Sequence, residues 1–580
     1  MRRHTIPLAL SLWSSMVFGI PDCPFLGPSF PKPTNLAESP TIQAALKNLT
    51  AAFEEYDNTA HNNPNHTSWS LQIFSESSDE PLWEHYHTAA DLNTDETSGN
   101  FSVGPDTIYR LGSLTKIFTI LTFLIEAGDS YWNTPVTEYI PELEELAAKA
   151  ESDPVMFVDW DSITLGNLAS HTAGIVRDYT IEGELTQEHN QTELMDQGFP
   201  PAVLNMTPFC GEIIPCTRAQ LFHGLGIVPP SFAPAHTPAY SNLGYHLIAY
   251  ALEAITGKRF VDMLEEDILQ KLTLNHTYYN QTPPNELGVI PPGNEFGWNY
   301  SLGESSPTGN MYSSITDLST LGRSIFLNKL LPPPQTRRWL KPAATTADIH
   351  EGTSYPWGYR RIPLDAAGDG LENRIVDVYS KAGSINMYAS LLVLIPDYSV
   401  GIAALLAGGW PGNANWDMAD LIGPILLPAL EQTAREQADD FLFAGTYSHS
   451  EMNSSLVLST QPDKPGLGVD SWISNGTDMI PVAIRYTLNY NVTGPSIRLF
   501  PTGLSAGKKR IAFKAMIENT DSTDRRDKMF STNCGTWVSQ TVAVYSDYPL
   551  DQFVFTMGDD GTGVESVLPL ALRAALRKEG

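Results

Sequence analysis

Positive charge is what this sequence most lacks. Among 580 residues, 35 are Lys or Arg and 66 are Asp or Glu, a formal net charge of −31. No basic run is longer than Lys508-Lys509-Arg510. Such a surface repels phosphate backbones and anionic headgroups, which excludes nucleic acid as a partner and disfavours acidic membranes. Charged residues of both signs reach only 17%, against 42% apolar, so a sizeable core forms and wholesale disorder is excluded. Long apolar runs are missing too. The best candidate past the N-terminus, Ser390 to Leu406, carries Pro396 and Asp397 at its centre, so no stable membrane insertion is expected. Cysteine is scarce, and its four copies form no Cys-x-x-Cys pair. With no His-x-x-x-His spacing either, no metal site and no cofactor is expected.

The compartment is legible at the N-terminus. Arg2 and Arg3 precede an apolar stretch from Ile6 to Phe18, and Val17 and Gly19 suit the −3 and −1 positions of a signal-peptidase site. A secretory signal peptide over residues 1–19 is therefore expected, and with it a secreted, extracellular protein. Eleven Asn-x-Ser/Thr sequons agree with a glycoprotein: Asn48, Asn65, Asn100, Asn190, Asn205, Asn275, Asn280, Asn299, Asn453, Asn475 and Asn491. Cys210 and Cys216 enclose a short loop containing Gly and Pro and are expected to pair, which leaves Cys23 for Cys534. The alternative for those last two is a free buried thiol.

A Pro-rich leader spans residues 20–40. Thr41 to Tyr56 follows with the spacing of an amphipathic helix, and Ser68 to Phe74 and Pro81 to Tyr86 have the pattern of strands. Helices are expected over Arg110 to Ala127, Ser241 to Ile255, Phe260 to Leu272, Ile315 to Leu327 and Ala414 to Gln432, with a loop-rich stretch from Asp159 to Pro230. Val376 to Ser380, Met387 to Ile395 and Ser399 to Leu406 are β-rich, with turns at Gly383 and Pro396-Asp397. Near residue 437 the texture changes to short strands separated by Gly, Asn, Asp and Ser turns, among them Ile484 to Leu488, and the chain ends in an expected helix, Val567 to Arg577. The reading is a catalytic domain over residues 41–436 and a smaller β-rich domain over 437–580.

Three short motifs carry chemistry. Ser113-Leu-Thr-Lys116 opens an apolar helix, where residues three apart share a face and Lys116 can approach Ser113. Tyr240-Ser-Asn242 stands at the start of another helix, and Lys381-Ala-Gly383 on a strand. A phenol, with an ordinary pKa of about 10, serves as a base only where cations favour its ionised form. Each motif recurs: Ser-x-x-Lys also begins at Ser29 and Ser505, Tyr-x-Asn at Tyr56, Tyr131 and Tyr278, and Lys-x-Gly at Lys464 and Lys578. Each residue also has an ordinary explanation: Ser113 as a helix cap, Tyr240 as a buried strut, Lys381 as a strand-edge charge. Order and context single out the set.

In that order the motifs resemble the active site of serine β-lactamases and penicillin-binding proteins. The middle one looks like that of class C β-lactamases, DD-peptidases and related esterases. Segments Ile163 to Gly174, Gly309 to Leu318 and Tyr240 to Leu252 are similar to the same superfamily, and the likeness covers roughly residues 36 to 435. The C-terminal part resembles more loosely the appended β-domains of secreted, fungal-type β-lactamase-like proteins. The resemblance implies an α/β (α+β) fold, an antiparallel sheet flanked by helices. It also implies roles: Ser113 the acylated nucleophile, Lys116 its orienting cation, Tyr240 the proton carrier, Asn242 a partner of Lys116 and the substrate, Lys381 a second cation helping to keep Tyr240 ionised. Backbone N–H groups of Ser113 and Ser384 would form the oxyanion hole.

One departure matters. Ala382 stands where β-lactamases usually have a hydroxyl residue that binds the β-lactam carboxylate. The expected activity is hydrolysis of an ester or amide of a small molecule or short peptide through an acyl-enzyme. An acyltransferase of natural-product biosynthesis and a silent binding protein are the alternatives. His171 reads as a turn residue near the core, and Trp298, Tyr300, Trp357 and Tyr359 as cleft-lining or packed aromatics. A Gly-x-Ser-x-Gly elbow of the α/β-hydrolase kind is not expected.

Overall fold

The computed structural model describes residues 24–93, 99–180, 184–202, 208, 210–211, 214–364, 374–409, 413–439, 443–488, 494–507, 509–519, 536–558 and 563–579. The signal peptide, Cys23, Cys534, Asn205 and Asn491 lie outside the described residues. Two compact units emerge: residues 32–362 with 376–433, and residues 1–31 with 363–375 and 434–580.

The strands of the first unit are β1 (Thr67–Ser75), β2 (Trp83–His87), β3 (Ile108–Arg110), β4 (Tyr312–Ser314), β5 (Ala344–Thr345), β6 (Glu351–Thr353), β7 (Gly358–Pro363), β8 (Ile375–Ile385), β9 (Tyr388–Ile395) and β10 (Val400–Gly408). Eight of them form one sheet in the order β2-β1-β10-β9-β8-β7-β6-β5, while β3 and β4 make a small ladder of their own. Neighbours β1–β10, β10–β9 and β9–β8 pair antiparallel. Every residue of β1, β9 and β10 is buried, so both faces at the sheet's centre are covered. That is why β9 and β10 read as unbroken small and apolar runs rather than alternating ones.

Helices supply the cover. In α1 (Pro40–Asp57), Ser39 caps the N-terminus by accepting from Ile42 N–H, Pro40 fits the first turn, and Ile42, Ala45, Leu49 and Phe53 form the buried stripe. The Phe53 ring lies 5.2 Å from that of Trp83 on β2. Helix α2 (Thr115–Glu126) is buried from Thr115 to Leu124 and belongs to the main core with α3 (Leu243–Thr256) and α4 (Ile315–Phe326). A long helix, α5 (Ala414–Gln437), follows β10.

In the second unit the strands are β11 (Gly445–His449), β12 (Ser454–Gln461), β13 (Lys464–Ser474), β14 (Thr477–Asp478), β15 (Pro495–Ala506), β16 (Arg510–Asn519), β17 (Val544–Tyr545), β18 (Tyr548–Pro549), β19 (Gln552–Met557), β20 (Val564–Pro569) and β21 (Leu576–Lys578). Their main sheet runs β12-β11-β21-β20-β19-β16-β15-β13-β14, and the extra pairing of β12 with β13 closes it on itself. An aromatic cluster fills this barrel: Phe513 lies 5.1 Å from Phe443 and 4.8 Å from Phe555, ring to ring.

Four local readings need correction. Ile484 to Leu488 is the end of helix α6 (Met479–Leu488), not a strand, with Ala483 and Ile484 buried. Val567 to Arg577 is no helix; it supplies the end of β20, a single 3-10 turn and the start of β21, held by pairing with β19 and β11. Arg110 ends β3 rather than opening a helix. Gly383 is not a turn, for β8 continues to Ile385 and turns at Asn386, whose φ is 49°.

Candidate active site

Ser113 sits in a 3-10 turn, Gly112–Leu114, that leads directly into α2. Lys116, one turn on, is fully buried, and an ammonium there needs three acceptors. It has them: Nζ donates to Ser113 Oγ at 2.9 Å, to Asn242 Oδ1 at 2.6 Å and to the Thr308 carbonyl at 2.7 Å. The Tyr240 hydroxyl lies 2.8 Å from Ser113 Oγ. Tyr240 and Asn242 immediately precede α3, whose first turn starts at Leu243. Three segments distant in sequence, around Ser113, Asn242 and Thr308, thus meet at one nitrogen, Lys116 Nζ, and Tyr240 joins them at Ser113 Oγ.

Lys381 approaches from β8. Its Nζ donates to its neighbour's carbonyl, Ala382 O, at 2.6 Å and stands 5.3 Å from the Tyr240 ring centroid. Burial lowers its pKa to about 8; the Tyr240 hydroxyl beside it pulls upward, and Lys116 and Arg177 push further down. Lys116 Nζ lies 5.2 Å and the Arg177 guanidinium 4.9 Å from the same ring centroid. In a chain of net charge −31, three cations around one phenol are a local reversal of sign.

Ser384 is the next residue but two along β8. The cleft above Ser113, about 90 Å³, is lined by Ser113, Asn242, Tyr300, Leu302, Ser384 and Ile385 among others. Of the four aromatics singled out in the sequence, Tyr300 alone lines this cleft; Trp298, Trp357 and Tyr359 are buried. The other two Ser-x-x-Lys serines belong to the second unit. Ser29 is buried within the leader, and Ser505 is exposed at the end of β15. A Gly-x-Ser-x-Gly pentapeptide does occur, Gly503 to Gly507 around Ser505, contrary to expectation. It forms the end of β15, leads on to another strand and opens no helix, so it is not a nucleophile elbow.

Some participants left little trace in the sequence. The Thr308 acceptor is a backbone carbonyl and has no side-chain signature. The Asp178 side chain is buried and accepts from Asn242 Nδ2 at 2.8 Å. Its signal was the Arg177-Asp178 pair that follows the His171 to Gly174 turn. His171 is indeed a buried turn residue, with φ 61°, but its ring also stacks on Tyr240 at 4.4 Å. Burial and the nearby cations Lys116, Lys381 and Arg177 hold that imidazole well below its usual pKa, hence neutral.

Away from the cleft, Cys210 and Cys216 form a disulfide, as expected. Nine of the eleven sequons fall within the described residues; eight of these asparagines are exposed and Asn100 is half-buried. Among the described residues no helix is long and apolar enough to cross a membrane.

Comparison with known proteins places these observations. The sequence family described as Beta-lactamase matches residues 78–422, and one described as Beta-lactamase-like-like, C-terminal domain, matches residues 434–580. The chain is 28% identical to the "Beta-lactamase-like protein" of Arthroderma benhamiae, over 98% of each chain. It is 27% identical to "Probable hydrolase M10" of a Phoma species, over 95% of this chain and 90% of the other. It is 28% identical to "D-alanyl-D-alanine-carboxypeptidase/endopeptidase AmpH" of Escherichia coli, over 37% of this chain and 50% of that one.

Proposed function

Since this chain belongs to the β-lactamase family, we propose that it is a serine hydrolase that opens an ester or amide of a small molecule or short peptide through an acyl-enzyme on Ser113. The observation that carries the reading is the position of Ser113 Oγ, 2.9 Å from Lys116 Nζ and 2.8 Å from Tyr240 Oη. A serine hydroxyl is a weak nucleophile until a neighbour takes its proton. Tyr240 takes it as Oγ attacks the substrate carbonyl. Lys116, saturated by three acceptors, orients Oγ and favours negative charge on the phenol oxygen, and Lys381 adds to that stabilisation while protonated. The N–H groups of Ser113 and Ser384 receive the oxyanion. Tyr240 then returns the proton to the leaving alcohol or amine. Water enters, gives its proton to Tyr240, and attacks the acyl carbonyl; Tyr240 passes that proton to Ser113 Oγ, which leaves as the hydroxyl.

The same reading makes the chain a secreted glycoprotein, supported by its Arg2-Arg3 leader, its exposed sequons and the Cys210–Cys216 bond. A mass decrease of the exported protein on enzymatic deglycosylation checks that part. For the chemistry, a fluorophosphonate probe should label one residue, and peptide mapping should place it at Ser113. Labelling at Ser29 or Ser505, or none at all, contradicts the proposal.

A further inference from the structure

One short segment grips every residue of the Tyr240–Asn242 motif. Ala239 N–H donates to His171 O at 2.8 Å, Ser241 N–H to His171 Nδ1 at 3.2 Å, and Ser241 Oγ to Val176 O at 2.8 Å. Asn242 N–H and Leu243 N–H both donate to Arg177 O, at 2.8 and 3.2 Å, which caps the start of α3. At the end of the segment stand two opposite charges, 3.7 Å apart from Arg177 Nε to Asp178 Oδ2, and each also reaches a different neighbour. The Arg177 guanidinium lies over the Tyr240 ring at 4.9 Å, and Asp178 Oδ2 accepts from Asn242 Nδ2 at 2.8 Å.

Asn242 is therefore fixed in one orientation. Its Oδ1 faces the Lys116 ammonium at 2.6 Å and its Nδ2 faces the Asp178 carboxylate. Flipping the amide would set donor against donor and acceptor against acceptor. Among the described residues, the groups around Tyr240 that titrate or carry charge include Lys116 from α2, Lys381 from β8, His171 and Arg177 from the gripping segment, and Tyr245 on α3. Burial holds His171 and Tyr245 neutral. The charge balance at the phenol is set by three cations, with Asp178 opposing them from behind Asn242.

We propose that Arg177 and Asp178 are positioning residues that act on the acyl-transfer site in opposite senses: Arg177 favours negative charge on the Tyr240 oxygen, and Asp178 orients Asn242 against Lys116 and opposes that charge. The inference rests on the reading of Ser113 as nucleophile. Arg177 exposes 58% of its side chain, so its effect is partly screened by salt, whereas that of Asp178, 3% exposed, is not.

The test is the pH dependence of kcat/KM of the full chain on p-nitrophenyl butyrate, at low salt and in 1 M salt, with thermal unfolding as a check on folding. Arg177→Gln should move the acid limb to higher pH by about half a unit or more, because a cation that favours the charged phenol is lost. Arg177→Glu should move it further, Arg177→Lys should restore it, and the Arg177→Gln shift should shrink in 1 M salt. Asp178→Asn should move the limb to lower pH, in either salt, and lower kcat. Should Asp178→Asn fail to fold, the graded Arg177 series still decides, since that side chain is mostly solvated. A purely structural segment would lower rates without moving the limb. Superimposable profiles, or shifts of one sign from both residues, overturn the inference while leaving Ser113 chemistry intact. Absence of Ser113-dependent turnover in the unmodified chain overturns both.

Discussion

A Cβ on Gly383 would stand 2.0 Å from the carbonyl oxygen of Leu111. Across the same junction a Cβ on Gly112, whose φ is +53°, would meet Ser384 O at 2.6 Å. Strand β8 and the turn before α2 thus touch backbone to backbone, which is what sets Ser384 beside Ser113. Gly383→Ala should force the two apart. An overpacked site of this kind costs about 1–3 kcal/mol, and a displacement near 1 Å costs on the order of 10²-fold in rate. Denaturant unfolding and kcat/KM together check this, and a fully active Gly383→Ala enzyme would contradict it.

That contact also shows what a sequence hides. Gly383 looks like a turn residue because glycine favours turns, yet the requirement here is absence of a side chain at a tertiary contact. The Ser113–Lys116 motif was legible because both residues stand at the start of one helix, and Tyr240 and Asn242 because they abut another. The Thr308 carbonyl was not, since any residue supplies one. Ile484-Arg-Tyr-Thr-Leu488 has strand-like composition, but its place in the barrel is helical; Val567 to Arg577 has helix formers, but pairing with β19 and β11 decides.

Lys381 gives a pH prediction with two opposite readouts. Burial depresses its pKa from the ordinary 10.5 to about 8. Activity should fall as pH rises through about 8, because the cation beside Tyr240 is lost. Stability should move the other way. Between about pH 8 and 10.5 the folded chain gives up a proton that the unfolded chain keeps, so this group adds stability as pH rises. Lys381→Met removes the buried charge. Thermal unfolding should find it more stable than the unmodified chain at pH 7, by a margin that narrows towards pH 10. A margin independent of pH would contradict the assignment.

Peptide mapping without reduction should find Cys210 joined to Cys216 and Cys23 joined to Cys534. Opening the short loop by Cys210→Ser with Cys216→Ser should cost about 2 kcal/mol by the chain-entropy relation. Any cross-pairing between the two sets refutes the expected connectivity.

Ala382 bears on substrate choice. A methyl group there removes one charge-assisted hydrogen bond to a substrate carboxylate, worth about 1.5–3 kcal/mol, or roughly ten- to a hundred-fold. Penicillins and cephalosporins should therefore be poor substrates beside neutral acyl esters, and Ala382→Thr should shift the ratio towards the carboxylate-bearing ones. Faster turnover of a cephalosporin than of p-nitrophenyl butyrate by the unmodified chain would sink this idea.

The central claim is that Ser113 carries the acyl group and Tyr240 its proton. Rapid-quench mass spectrometry of the chain turning over an ester tests it most directly. The account predicts an acyl adduct located on Ser113, absent in Ser113→Ala with turnover lowered on the order of 10³-fold or more, and formed far more slowly in a folded Tyr240→Phe. An adduct on another residue, or unchanged turnover in Ser113→Ala, would contradict it.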